Sequence, residues 1–282
     1  MCRLFGFRSI ISSQVHSSLV SAENAIMQQS ERHPDGWGVA YYIASAPHVV
    51  KSVATAVDDH IFQRVSGVVS SQTVIAHLRK ATTGELSILN THPFQFGKWT
   101  FAHNGNIKNF SQHKPALAKE IAPTMRRFIL GDTDSEYIFL MLMSEISQVI
   151  DIHDSECPVD PLADAVYSVM NRIQDLAGPY HEDDTGSPHE NYLTFLLTNG
   201  RVMLAFQGGK KLFYSTYKSR CPDRDSCPSF HKVCESPATS GRINHLLFAS
   251  EPLQGDNIWL PMTNGQIVVV DAELNLRLWD GV

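Results

Sequence analysis

The sequence predicts an α+β fold. Three observations predict it. Short strand-like runs fill the first hundred residues, the middle reads as two helices, and strand patterns return after residue 190. That order, strands then helices then strands, does not alternate as the βαβ units of a parallel sheet would. With 282 residues, 43% of them hydrophobic and 18% charged, the chain has length for one large domain or two small ones.

The early strand runs are Arg3–Phe7, Trp37–Ile43, Thr73–Leu78 and Trp99–Ala102, the last leading into His103-Asn104-Gly105. After Asp134-Ser135-Glu136 the run YIFLMLMSEISQVI is apolar on nearly all sides, which predicts a buried helix. In the second helix Asp160 can cap and Pro161 sits where a first helical residue would. Leu162, Val166, Val169, Ile173 and Leu176 then share one face, and Gly178 ends the element. NYLTFLLT and RVMLAF, joined through the turn Asn199-Gly200, read as a hairpin, and HLLFAS and QIVVV add strands. The polar stretches 181–190 and 218–242 read as surface loops. No internal repeat interrupts the chain.

The net charge of −6 recommends neither a nucleic-acid nor an acidic-membrane partner. No apolar run near the start suits a signal peptide, and none approaches the ~18 residues of a membrane span. The expected compartment is therefore the cytoplasm, with the five cysteines as free thiols. Cys221, Cys227, His231 and Cys234 are zinc-ligand types. Their spacing, C-x5-C-x3-H-x2-C, does not match the usual paired entries, so a thiol-bearing loop and no metal are expected. Cys157 reads as a loop residue without function.

Cys2 raises the chemical question. A thiolate is the nucleophile, and a thiol needs a base. If Met1 is removed, Cys2 gains a free α-amine beside its own sulfur, with an ordinary pKa of ~7.7–8.0, and needs no histidine. As a residue alone, Cys2 reads as an ordinary small apolar side chain near the start of a strand. Four further segments bear on the choice. RHPDGWGVAYY (32–42) holds a tight turn feeding a strand. In AHLRKATTGELSILNTHPF (76–94), Arg79 follows apolar residues, where a buried guanidinium needs an anion, either a protein carboxylate or a ligand's. TFAHNGNIKNF (100–110) places a side-chain amide beside a glycine N–H, a pair that can hold an oxyanion and is also a common turn pair. In GDTDSEYIF (131–139), Asp134 stands where it could cap a helix or hold an ammonium. A carboxylate, an ammonium and an electrophilic carbonyl on one molecule describe glutamine or another γ-glutamyl compound.

With these motifs in order, the sequence resembles the class II glutamine amidotransferases, a branch of the N-terminal-nucleophile hydrolases. The likeness rests on Cys2-Arg3, DGWG at 35–38, LRKAT at 78–82, HPF at 92–94, HNG at 103–105 and TDSE at 133–136. NYLTFLLTNG and FASEPL are similar to stand-alone members, among them the amidotransferase-like subunit of glutathione degradation and the γ-glutamyl amidohydrolase of ergothioneine synthesis. The resemblance implies a four-layer αββα sandwich and one such domain over 1–282. Cys2 would be nucleophile and, through its amine, base, and Asn104 and Gly105 would form the oxyanion hole. Arg79, Asp134 and Thr82 would bind the glutamyl group. Trp37 and His92 join that substrate-binding set more as supports of its architecture, and His103 is expected to be structural. No cofactor is implied. Lys80 and Thr83 depart from synthase-linked members, which carry an aromatic residue and a histidine there, and this leaves the leaving group open. No room is expected for a synthase domain. A partner subunit or a homo-oligomer stays open, as does a silent subunit that senses glutamine or γ-glutamyl compounds.

Overall fold

In the computed structural model every residue is described except Met1, His16, Glu23, Ser155, Pro188 and Val282. The chain runs through β1 (Arg3–Gln14), α1 (Ile26–Gln29), β2 (Trp37–Ile43), β3 (Ala46–Ser52), α2 (His60–Val68) and β4 (Ser70–Leu78). It continues through β5 (Phe94–Phe96), β6 (Trp99–Asn106) and the helices α3 (Phe110–Glu120), α4 (Asp134–Val149) and α5 (Val159–Ala177). Strands close it: β7 (Tyr192–Thr198), β8 (Met203–Phe206), β9 (Phe213–Ser215), β10 (Gly241–Arg242), β11 (His245–Ala249), β12 (Leu260–Pro261), β13 (Ile267–Val270) and β14 (Asn275–Trp279).

Among the described residues the strands form two seven-stranded antiparallel sheets. One has the order β12-β9-β11-β1-β4-β2-β3, the other β10-β14-β13-β8-β7-β6-β5. Three apolar cores define the layering. Leu4, Ile75, Ala102, Leu196, Met203 and Phe248 pack between the two sheets. The far face of the first sheet buries Phe5, Trp37, Val39 and Val74 against Ile26 and Phe62 of α1 and α2. The far face of the second buries Phe101, Phe195 and Phe206 against α4 and α5. The result is the four-layer αββα sandwich. No helix among the described residues is long and apolar enough to cross a membrane.

α4 is apolar on nearly every side because it is covered on nearly every side. Twelve of its 16 residues are buried, from Asp134 to Ile146. Each fully buried Leu, Met, Phe or Ile there contributes about 1.5–3 kcal/mol. α5 shows the expected one-sided pattern, with Leu162, Val166, Val169 and Ile173 buried and Leu176 partly so. Gly178, at φ 89°, ends it.

Two local readings change. α5 begins at Val159 after Pro158, so Asp160 lies inside the first turn and does not cap. Its carboxylate instead accepts from Arg277 at 2.6 Å. The β7–β8 hairpin exists, but Thr198 pairs Met203 across four residues, with Asn199 Oδ1 accepting from the N–H groups of Arg201 and Val202.

Candidate active site

β1 occupies the middle of the first sheet, and its register pairs Arg3 with Leu78 at the end of β4. Cys2 therefore lies where the chain leaves β4 for the segment 79–85. Termini usually fray, but this strand end is tied down. Leu4 N–H donates to Ser250 Oγ at 3.0 Å, Ser250 N–H donates to the Leu4 carbonyl at 3.0 Å, and Arg3 pairs with Glu251 at 3.3 Å. Removal of Met1 concerns a residue outside the described ones.

The Cys2 thiol is buried. Lys80 N–H donates to its sulfur at 3.4 Å, and the thiol points back to the Lys80 carbonyl at 3.6 Å. Burial pushes the thiol pKa up. The Lys80 peptide hydrogen bond and the Arg79 guanidinium oppose that rise, and the Asp134 carboxylate adds to it. Arg79 and Asp134 are thus both close enough to act on the sulfur, and at neutral pH the thiol keeps its proton.

The turn at 35–38 explains how the 79–81 segment is held. Arg79 N–H donates to the Gly36 carbonyl, Asp35 N–H to the Arg79 carbonyl, and Ala81 N–H to Asp35 Oδ2 at 2.8 Å. Gly36 adopts φ 124°, and a Cβ there would sit 2.8 Å from the Ser52 carbonyl oxygen. Trp37 is fully buried on the outer face of its sheet. Its indole N–H donates to Asp59 at 3.1 Å and its ring meets Phe62 edge-on. These are the contacts of a packing residue that anchors the turn.

Arg79 is 3% exposed. Its guanidinium donates to the carbonyls of Glu85 at 3.0 Å, Thr83 at 3.1 Å and Gly84 at 3.4 Å. It has no ion-pair partner among the described residues, although the Asp35 and Asp132 carboxylates favour its charge from farther away. With carbonyls alone at contact distance, the guanidinium can still take an anion directly.

Asn104 and Gly105 lie within β6 rather than in a turn. Gly105 pairs Leu193, whose own N–H is engaged with the Gly208 carbonyl on the opposite side. The Gly105 N–H accordingly points away from β7, toward the edge that β5 leaves open after three residues. Glycine is required at 105 because a Cβ would collide with the Tyr192 carbonyl and the His103 ring. The Asn104 carboxamide is buried, with its Oδ1 lacking a hydrogen-bond partner among the described residues.

Asp134 is the first residue of α4, and Thr133 occupies the cap position without a capping side chain. Asp134 Oδ2 accepts from Ile107 N–H at 2.6 Å and Oδ1 from Ser135 N–H at 2.8 Å. The carboxylate thereby fastens α4 to the end of β6 and retains lone pairs. Thr82 lines a cavity of about 510 Å³ with Thr83, Gly84, Asn106, Ile107 and Asp132, while Cys2, Arg79, Asn104, Gly105 and Asp134 are not part of its lining.

Three buried histidines lie behind the site. His103 has both nitrogens engaged, Nε2 with the Tyr192 carbonyl at 3.0 Å and Nδ1 with Ser135 Oγ at 2.9 Å. The carbonyl can only accept, so Nε2 carries the proton and Nδ1 accepts from the serine. His77 Nε2 donates to the His103 carbonyl at 3.2 Å. His92 is tilted against His77 with ring centroids 4.2 Å apart and meets Phe94 edge-on, and neither of its nitrogens has a hydrogen-bond partner among the described residues. Burial lowers all three pKa values, that of His77 to about 3, so the rings are neutral packing groups.

Sequence reasoning did not reach Asp35, the Lys80 amide, Ser135 or the carbonyls of 83–85. For Asp35 the signal was present in the turn motif; the rest act largely through backbone or are one member of a common residue type. Cys221, Cys227, His231 and Cys234 do not converge: among the described residues no three His, Cys, Asp or Glu side chains are placed to hold a metal.

Comparison with known proteins identifies the family. A model of the class-II glutamine amidotransferases matches residues 1–276. The chain is 26% identical to the "Probable glutamine amidotransferase DUG3" of Saccharomyces cerevisiae, over 97% of this chain and 82% of that protein. It is 36% identical over 74 residues, 26% of this chain and 32% of the relative, to the gamma-glutamyl-hercynylcysteine sulfoxide hydrolase of Mycobacterium tuberculosis. Among solved structures, a class-II domain protein from Silicibacter pomeroyi superposes with TM-score 0.62 at 21% identity, covering 100% of both chains. The glutamine phosphoribosylpyrophosphate amidotransferase of B. subtilis gives 0.58 at 15%, over 99% of this chain and 49% of that one, so these two share the fold. The chain belongs to the class-II glutamine amidotransferases.

Proposed function

We propose that the chain is a γ-glutamyl amidohydrolase whose nucleophile is Cys2, with glutamine one of its substrates. The observation that carries this reading is Arg79: a buried guanidinium without a carboxylate partner among the described residues, within electrostatic reach of a buried thiol. The named activity of the Mycobacterium tuberculosis relative, hydrolysis of a γ-glutamyl compound, supports the same substrate half.

In this reading Arg79 takes the α-carboxylate, Asp134 takes the α-ammonium, and Thr82 assists from the segment that follows Arg79. The raised thiol pKa makes a base necessary. With Met1 removed, the Cys2 α-amine takes the thiol proton as sulfur attacks the γ-carbonyl. The Gly105 N–H and the Asn104 carboxamide receive the oxyanion. The intermediate collapses as the ammonium returns its proton to the departing amine, leaving a glutamyl thioester. Water, activated by the same amine, then releases glutamate. His103 has no free nitrogen and serves position, not proton transfer.

The test is glutamate release from glutamine, glutathione, γ-glutamylcysteine and an S-substituted γ-glutamyl thiol, each with the native chain and Cys2→Ala. Release from at least one compound that vanishes in the variant supports the proposal. Release that survives Cys2→Ala overturns it, and no release from any compound favours the silent, sensing alternative.

A further inference from the structure

A second cavity, of about 370 Å³, lies on the other side of the first sheet from the second one, beneath the 218–242 segment. Phe7 of β1 and Leu247 of β11 give it an apolar wall. Cys221, Cys227 and Cys234 all line it. Cys227 is partly exposed, and the other two are buried. The loop is folded around them. Lys218 N–H donates to the Cys234 carbonyl at 2.8 Å, Cys221 N–H to Glu235 Oε1 at 2.6 Å, and Asn244 Nδ2 approaches Cys234 Sγ at 3.2 Å.

Two polar atoms in this lining have no hydrogen-bond partner among the described residues. His245 is 9% exposed with its Nε2 buried and unbonded, and Asn257 Oδ1 is likewise buried and unbonded. Leaving such groups unsatisfied costs about 1–3 kcal/mol each, which a ligand's N–H groups would recover. Burial and the neighbouring Lys218 charge push His245 down to about 4, so it is neutral and can accept a hydrogen bond from a ligand N–H. Lys218 is half-buried, lines the same cavity, and forms no ion pair among the described residues. The lining thus offers one partly exposed thiol, two buried thiols, the Lys218 cation for a carboxylate, and the Asp223 and Asp256 carboxylates with the Asn257 and His245 acceptors for an ammonium or amide.

We propose that this cavity is a thiol–disulfide exchange site for small amino-acid disulfides of the cystine type. The Cys227 thiolate attacks one sulfur of the disulfide. A Cys227–S–S–R bond forms, the R–S–S–R bond breaks, and one R–S⁻ leaves and takes up the proton that Cys227 lost. No net oxidant beyond the incoming disulfide is required.

The experiment treats the full chain with cystine or, separately, with 2-hydroxyethyl disulfide, which lacks both carboxylate and ammonium. Alkylation and peptide mass mapping give the rate at each cysteine. The site requires that cystine label Cys227 about tenfold faster than the uncharged disulfide does, as ~1.4 kcal/mol of added recognition would give. It requires also that Lys218→Met and Asn257→Leu each shrink that ratio while leaving the 2-hydroxyethyl disulfide rate at Cys227 unchanged. Equal rates for the two disulfides, or a preference that survives both substitutions, overturn the proposal, since Cys227 would then be only an exposed thiol. Labelling confined to Cys2 or Cys157 overturns it as well.

Discussion

Replacing Arg79 by methionine isolates the group on which substrate recognition rests. The guanidinium has five N–H donors and three contacts to the carbonyls of 83–85, which leaves two donors for a ligand. Hydrogen bonds to a charged group are worth about 1.5–3 kcal/mol each, and losing one partner of a buried charged pair costs about 2–5 kcal/mol. A loss near 3 kcal/mol in Arg79→Met corresponds to a fall in kcat/KM of roughly a hundredfold. The same substitution frees three carbonyls and loosens the segment that holds Cys2, so a fall alone would be ambiguous. The discriminating assay compares glutamine with 4-aminobutanamide, which is glutamine without its α-carboxylate, in both proteins. The native chain should prefer glutamine by about a hundredfold, and the variant by no more than about threefold. A variant that still prefers glutamine a hundredfold would show that the carboxylate is bound elsewhere, and the reasoning about Arg79 would fail.

Gly105→Ala should cut kcat by at least about a hundredfold, the order seen when an oxyanion donor is lost, because the Cβ must displace β7 or the His103 ring; wild-type turnover would contradict the placement of that N–H. Asp35→Ala should lower the urea midpoint by an amount equivalent to about 1–3 kcal/mol, since Ala81 N–H loses its acceptor, and should speed alkylation of Cys2; an unchanged midpoint would contradict the coupling of turn and segment. Acid should destabilise the fold. His77 and His245 have pKa values of about 3 and about 4 in the folded chain, below the unfolded value near 6.5. The unfolded state therefore binds more protons, and the stability these rings lend above pH 6.5 is lost as pH falls toward 4. Each such ring removes about 1.4 kcal/mol per pH unit, so urea midpoints should drop steadily between pH 6.5 and 5; a flat profile would refute neutral buried rings.

What the sequence could and could not convey follows from which groups carry the information. The β2 strand at 37–43 was legible to the residue because its apolar and aromatic side chains state their burial. Its hairpin partner β3 was not, because the connecting turn uses Ala44 and Ser45 at positive φ, without the glycine or asparagine that usually marks such a turn. α3 carries Pro115 inside it and a mixed face, so neither pattern nor propensity announces it. Asn104-Gly105 looked like a turn pair; the glycine serves a close approach of β7 instead. In the site, charged side chains such as Arg79 and Asp134 could be nominated from the chemistry they imply. The groups that hold them, the Lys80 amide, the 83–85 carbonyls and the Ile107 N–H, are backbone atoms that every residue has, and only the fold selects them.

The most direct measurement is the intact mass of the purified chain before and after reaction with a γ-glutamyl electrophile, 6-diazo-5-oxo-norleucine, followed by mapping of the modified peptide. A Cys2 nucleophile that supplies its own base requires a chain lacking Met1, one adduct per molecule, and that adduct on Cys2. A chain that keeps Met1 and still turns over substrate, or a single adduct on any other residue, would contradict the claim that Cys2 is the nucleophile and supplies its own base.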